Sequence, residues 1–134
     1  MDDETTKIYD AVGGDRPFYD LVDAFYQSVE TDAVLRPLYP TDLTQPKEHL
    51  ALFLIQRFGG HTAYSDRRGH PRLRMRHVPF RIGPAERDAW LRCMFAALDA
   101  TPALGPFRDS LRRYFAESAE FLVNTDTIPA ISFP

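Results

Sequence analysis

A chain of 134 residues with a net charge of −3, a hydrophobic fraction of 44% and a charged fraction of 26% predicts one soluble globular unit over 1–134. The acidic balance argues against non-specific nucleic-acid or membrane binding, and no apolar run approaches the ~18 residues of a membrane span. The lone Cys93 excludes an internal disulfide and a cysteine-based zinc site. With the acidic start Met1-Asp2-Asp3-Glu4, which lacks the apolar run of a signal peptide, it points to a reducing cytoplasm.

In chain order, a short helix is expected from about Thr6 to Val12, ended by Gly13-Gly14, the first glycine suiting a left-handed cap. Phe18, Leu21, Val22, Phe25, Tyr26 and Val29 recur at three- and four-residue steps and predict the clearest helix, with Asp15 as cap and Pro17 in its first turn. A turn follows near Thr31–Leu38, where Pro37 and Pro40 prevent a long helix. A third helix is expected from about Gln45 to Phe58, capped by Thr44, with Leu50, Phe53, Leu54 and Phe58 on its face and Gly59-Gly60 at its end. The Arg-rich stretch His61–Phe80 reads as a loop holding one short helix around Arg72–His77, stopped by Pro79.

Gly83-Pro84-Ala85-Glu86 is a helix start, with Pro at the first helical position and an acid in the first turn. Trp90, Leu91, Met94, Ala97 and Leu98 carry that face to about Ala100. A last helix runs from Pro106 to about Val123 on Leu111, Tyr114, Phe115, Ser118 and Leu122, and the tail Thr125–Pro134 is expected to be extended. No stretch reads as a strand, so the class is all-α.

The four histidines, His49, His61, His70 and His77, make no helical zinc pair, and there is no HExxH, nucleophile elbow or Gly-rich phosphate loop. Cys93, Met75 and Met94 read as core filling. Taken alone, His77 between Arg76 and Val78 is more often structural than a ligand. The Arg cluster of 67, 68, 72, 74, 76 and 81 invites a nucleic-acid reading or reads as a solvated loop with some carboxylate pairs; the overall acidity and the lack of an RNA-binding motif weigh against the first.

The ungapped run Tyr64-Ser-Asp-Arg-Arg-Gly-His-Pro-Arg-Leu-Arg-Met-Arg-His-Val-Pro-Phe80, and Glu86-Arg-Asp-Ala-Trp-Leu-Arg-Cys-Met94 after it, resemble the hallmark blocks of group II truncated haemoglobins. Tyr9-Asp-Ala-Val-Gly-Gly14 and Gly59-Gly60 match that family's two glycine pairs, and the resemblance extends from about Ile8 to Asn124. It implies a truncated globin, with two antiparallel helix pairs sandwiching a haem, and a core at about 8–124 flanked by an acidic extension and a tail.

The resemblance implies haem b (iron protoporphyrin IX) with His77 as its axial ligand and the opposite position open to a gas. It places Tyr26, Tyr39 and Trp90 at that open face, each a polar hydrogen on a flat body; without it, they read as ordinary core aromatics. Leu50, Phe53 and Leu54 are expected to wall the distal side. Pro46 falls where a distal donor often stands and has no proton to give. Arg76 is expected to hold a propionate, with Arg74, Tyr64 and then His49 as weaker partners.

These expectations favour reversible dioxygen binding. The alternative is a redox enzyme acting on nitric oxide or peroxide, supplied by a reductase the sequence does not identify. A gas sensor and a cofactor-free helical module are the remaining readings, the first having no room for an output domain. Carbon monoxide is a further ligand of the expected site, and the chain is expected to be a monomer or a homodimer.

Overall fold

In the computed structural model, residues 4–77 and 80–124 are described, Arg74 by its backbone alone. Met1–Asp3, Val78, Pro79 and the expected extended tail Thr125–Pro134 lie outside the described residues. Among those described, every regular element is helical, as the sequence predicts.

A 3-10 turn at Glu4–Lys7 leads into α1 (Ile8–Ala11), which stops at Gly13 and Gly14 with φ of +90° and +110°, the left-handed conformation glycine adopts without strain. Helix α2 (Arg16–Glu30) buries all six of its expected apolar residues. Asp15 precedes it but does not cap it. Its carboxylate instead accepts the Tyr9 hydroxyl at 2.7 Å and lies 3.1 Å from His61 Nε2, so it ties the chain start to the end of the third helix.

Helix α3 (Thr44–Arg57) follows a 3-10 turn at Arg36–Leu38. Its start is served by Asp42, whose Oδ1 accepts the Thr44 N–H at 2.9 Å, rather than by a Thr44 side-chain cap. The expected single face divides in two. Ala51, Leu54, Ile55 and Phe58 are sealed in the core, whereas Leu50 and Phe53 remain half-buried on the neighbouring side. Two apolar sides on one helix mean two things to pack against.

The loop expected over His61–Phe80 contains two helices, α4 (Ala63–Arg68) and α5 (Leu73–His77). Helix α4 has six residues and one buried side chain, Tyr64, too little for periodicity to show. Helix α6 (Pro84–Asp99) opens as expected, with Glu86 Oε1 accepting the Gly83 N–H at 2.8 Å. The last expected helix is a 3-10 segment, Pro102–Phe107, then α7 (Arg108–Leu122).

Helices α2 with α3 and α6 with α7 form packed pairs, α2 also runs against α6, and the short α4 and α5 rest on α3 and α7. Phe18, Phe25, Phe58, Phe115, Leu111 and Met94 fill the space between them. Each such burial contributes about 1.5–3 kcal/mol, so the stack holds without cross-links. Cys93 is buried as expected, and burial pushes its thiol pKa up. Met75 is not core filling: its surface is 55% exposed.

Gly59 is the tightest point. It has φ of +98°, and a Cβ there would stand 1.8 Å from the Thr6 carbonyl oxygen. Gly59→Ala is therefore expected to cost about 2 kcal/mol or more, from left-handed strain plus the backbone clash. A thermal midpoint equal to that of the parent protein would contradict the close approach.

Candidate functional site

Three groups of polar side chains stand out against the apolar core. The first joins Tyr26 of α2, Tyr39 just after the 3-10 turn, and Trp90 of α6. Tyr26 is buried, and Tyr39 and Trp90 are partly so. The phenol rings meet edge to face at 5.4 Å, and Phe25 packs between Tyr26 and Trp90 at 5.0 and 5.3 Å. Burial drives both phenols up, Tyr39 to about 12. Polar contact with Tyr26 and Trp90 acts the other way on Tyr39, whereas contact with Tyr39 raises Tyr26 further. Kept protonated by burial, the Tyr39 hydroxyl has a proton to donate.

The turn leading to Tyr39 is pinned. Asp32 Oδ1 accepts the N–H groups of Val34 and Leu35, both at 2.9 Å, and Oδ2 accepts from Arg92 of α6 at 2.7 Å. The Leu35 N–H and the Arg92 guanidinium hold the Asp32 carboxyl below its usual range.

The second group is His77 at the end of α5. Its Nδ1 lies 2.6 Å from the Leu73 carbonyl oxygen, which can only accept, so Nδ1 carries a proton and, in the neutral ring, Nε2 holds the lone pair. No described group hydrogen-bonds Nε2. Sequence reasoning missed the residue that braces this segment, Asn124 beyond α7. Its Nδ2 donates to the carbonyls of His77 and Phe80 at 3.3 and 2.8 Å, and its Oδ1 accepts the Ile82 N–H at 2.9 Å.

The third group lies between α3 and α4. Tyr64 is buried under Arg68 and Arg76, whose guanidinium carbons stand 5.7 and 6.0 Å from its ring, and it meets Phe53 edge-on at 5.6 Å. Arg68 donates to His49 Nδ1. Burial and the Arg68 charge lower the His49 pKa, which favours the neutral ring. His49 and Arg68 line both a cavity of about 200 Å³ with Leu52 and Tyr64 and an open cleft of about 620 Å³ with Pro40 and Pro46.

Of the expected site residues, the structure brings Tyr26, Tyr39 and Trp90 together, and His49, Phe53, Tyr64 and Arg76 together. Leu50 is half-buried beside Phe53 on α3, whereas Leu54 is sealed in the core with 1% exposure. Arg76 spends Nε and one Nη on the carbonyls of Pro71 and Arg68, each at 2.7 Å. Arg68, one of the six clustered arginines, reaches the cavities that Arg76 does not line. The side chain of Arg74 is outside the described residues. No hydrogen bond or ring contact among the described residues joins His77 to either other group.

The donor set fits a haem. No cluster of three or more His, Cys, Asp or Glu among the described residues could cage a bare metal ion. A lone imidazole with a free lone pair, apolar side chains left half-covered and a cationic group near open space are what a porphyrin-held iron with carboxylate arms requires.

The sequence profile of the Bacterial-like globin family matches residues 7–123. The chain is 39% identical over 116 residues to Group 2 truncated hemoglobin YjbI of Bacillus subtilis, covering 87% of each chain. It superposes on the crystal structure of the hemoglobin of Chloroflexus aurantiacus with a TM-score of 0.85 at 52% identity, covering 88% of this chain and 98% of that one. A TM-score of 0.82 at 38% identity relates it to the truncated oxygen-avid haemoglobin of Bacillus subtilis, over 87% and 98% of the two chains.

Proposed function

The chain belongs to the bacterial-like globins as a group II truncated haemoglobin with the two-over-two helical fold, and on that premise we propose that it binds dioxygen tightly and reversibly on haem b, with His77 beneath the iron and Tyr39 as the principal donor above it. The observation that carries this reading is the gathering of Tyr26 and Trp90 against Tyr39, a phenol that burial keeps protonated and able to donate. A solved relative described as oxygen-avid supports it. The whole chain acts as one globin unit.

Haem would supply, when bound, a ferrous iron able to hold a diatomic gas. His77 Nε2 would hold it, with the ring turned and its tautomer fixed by the Nδ1–H bond to Leu73 O. Arg68 and His49 would face the carboxylate arms, with Tyr64 beside them and Arg76 behind; Arg74 is retained as a weaker partner. Leu50 and Phe53 would keep the ring face dry, backed by Leu54 in the core. Exclusion of water strengthens each polar contact and slows loss of the electron to solvent.

Burial keeps the phenols protonated well past neutrality, Tyr39 to about 12. Dioxygen release from the ferrous protein, followed by displacement with carbon monoxide, is therefore expected to be slow and flat from pH 6 to 10. A rise of tenfold or more across that range would show that the donor titrates and is not this phenol. Rapid, repeated consumption of nitric oxide or peroxide with an added reductant would move the assignment to a redox enzyme.

A further inference from the structure

One residue outside the three groups holds the backbone that carries Tyr39. Arg36 lies in the turn between α2 and Tyr39, and its side chain is 26% exposed. Nη1 donates to the Tyr39 carbonyl at 3.3 Å and to that of Pro40 at 3.0 Å, and Nη2 donates to the Thr41 carbonyl at 3.1 Å. Nε donates to Glu30 Oε1 at 2.9 Å, at the end of the helix that carries Tyr26. One planar group thus gathers three consecutive carbonyls and anchors them to α2.

We infer that Arg36 is a positioning residue for Tyr39, fixing the 39–41 backbone so that the phenol hydroxyl meets Tyr26, Trp90 and the ligand space together. The inference rests on the distal reading above. None of the backbone hydrogen bonds described outside the helices reaches Tyr39 O or Pro40 O, and Pro40 has no N–H to give. Tyr39 itself is extended, at φ −114° and ψ 153°, so helical bonding does not fix its direction. Asp32 secures the first half of the turn and Arg36 the second. A rigid fork with five N–H groups suits that task; a lysine, with one nitrogen, cannot span three carbonyls. The pair with Glu30 is open to solvent, Glu30 being 56% exposed, and contributes little by itself.

The test uses the haem-loaded protein and two readouts: the dioxygen release rate, and the infrared stretching frequency of carbon monoxide, a probe of the field above the iron. Arg36→Met is expected to speed release about two- to tenfold, the effect of one displaced hydrogen bond, and to shift the carbon monoxide band towards that of Tyr39→Phe. Arg36→Lys should fall between, and Glu30→Gln should leave both readouts within twofold of the parent protein. In a Tyr39→Phe background, Arg36→Met should add nothing, because its route is removed. If Arg36→Met does not fold, Arg36→Lys carries the same comparison. A parental rate and band in the Arg36 variants, or the same fold-change with and without Tyr39, overturns the proposal. Parental values in Tyr39→Phe itself overturn the distal reading, and the positioning role with it.

Discussion

His77→Gly is expected to raise the rate of haem loss by at least about 100-fold, and imidazole added to the solution should restore the parental ferrous spectrum. Disturbing only the partners of a metal ligand commonly costs 10- to 100-fold in affinity, so removal of the ligand itself sets that figure as a floor. The geometry concentrates the effect on one atom. Nδ1 is committed to the Leu73 carbonyl, which leaves Nε2 as the basic nitrogen. His49 cannot substitute, because its Nδ1 already receives Arg68. His61 is occupied with Asp15 and the Ala63 N–H. His77 is half-buried at the end of a five-residue helix, so a glycine there leaves the main core intact. Imidazole rescue separates a lost ligand from a lost fold: recovery of the spectrum requires an intact cavity, and an unfolded chain would not recover.

Tyr39→Phe should have the second largest effect, a release of dioxygen about 10- to 100-fold faster. On the proposed reading the phenol is the direct donor, and it stands in polar contact with Tyr26 and Trp90. Its loss removes one contact with a charge-bearing partner and the polar contacts with Tyr26 and Trp90. At about 0.5–1.5 kcal/mol for a neutral hydrogen bond and about 1.5–3 kcal/mol to a charged group, a change of one to two decades follows. Tyr26→Phe and Trp90→Phe should each change the rate less, because they act through the same oxygen. Combined with Tyr39→Phe they should be strongly sub-additive. Stopped-flow displacement by carbon monoxide measures all of these. Equal effects from all three substitutions, adding freely, would mean that the three donors act independently and that the order inferred here is wrong.

The four long helices were legible because each carries a repeating apolar face. Phe18, Leu21, Val22, Phe25, Tyr26 and Val29 make a helical face that no local detail could disguise, and all six are buried. Gly13 and Gly59 were legible as punctuation, since their positive φ values are ones other residues resist. Helix α4 was not legible, because six residues with one buried tyrosine have no period to detect. The expected caps at Asp15 and Thr44 failed for a related reason: several nearby groups compete for a carboxylate or an N–H, and the winners, Tyr9 and Asp42, are decided by tertiary geometry.

The candidate site divides in the same way. His77, Tyr26, Tyr39 and Trp90 entered through the resemblance, and the structure adds the His77 tautomer and the meeting of the three aromatic side chains. Arg36 and Asn124 were invisible in sequence because they act on backbone carbonyls, and Arg68 stood out only as one of six clustered arginines, with its tie to a histidine 19 residues away unseen. Such contacts depend on where the chain returns in space and leave no spacing rule. Arg76, the expected propionate partner, is an informative case. Its place beside His77 suggested a role toward the ligand, yet its guanidinium holds Pro71 and Arg68 in place.

Resonance Raman spectroscopy of the ferrous, ligand-free protein tests the central claim most directly. An iron–imidazole stretching band is expected in the parent protein, absent from His77→Gly and returned by added imidazole. The same band persisting unchanged in His77→Gly would contradict ligation through Nε2 of this residue.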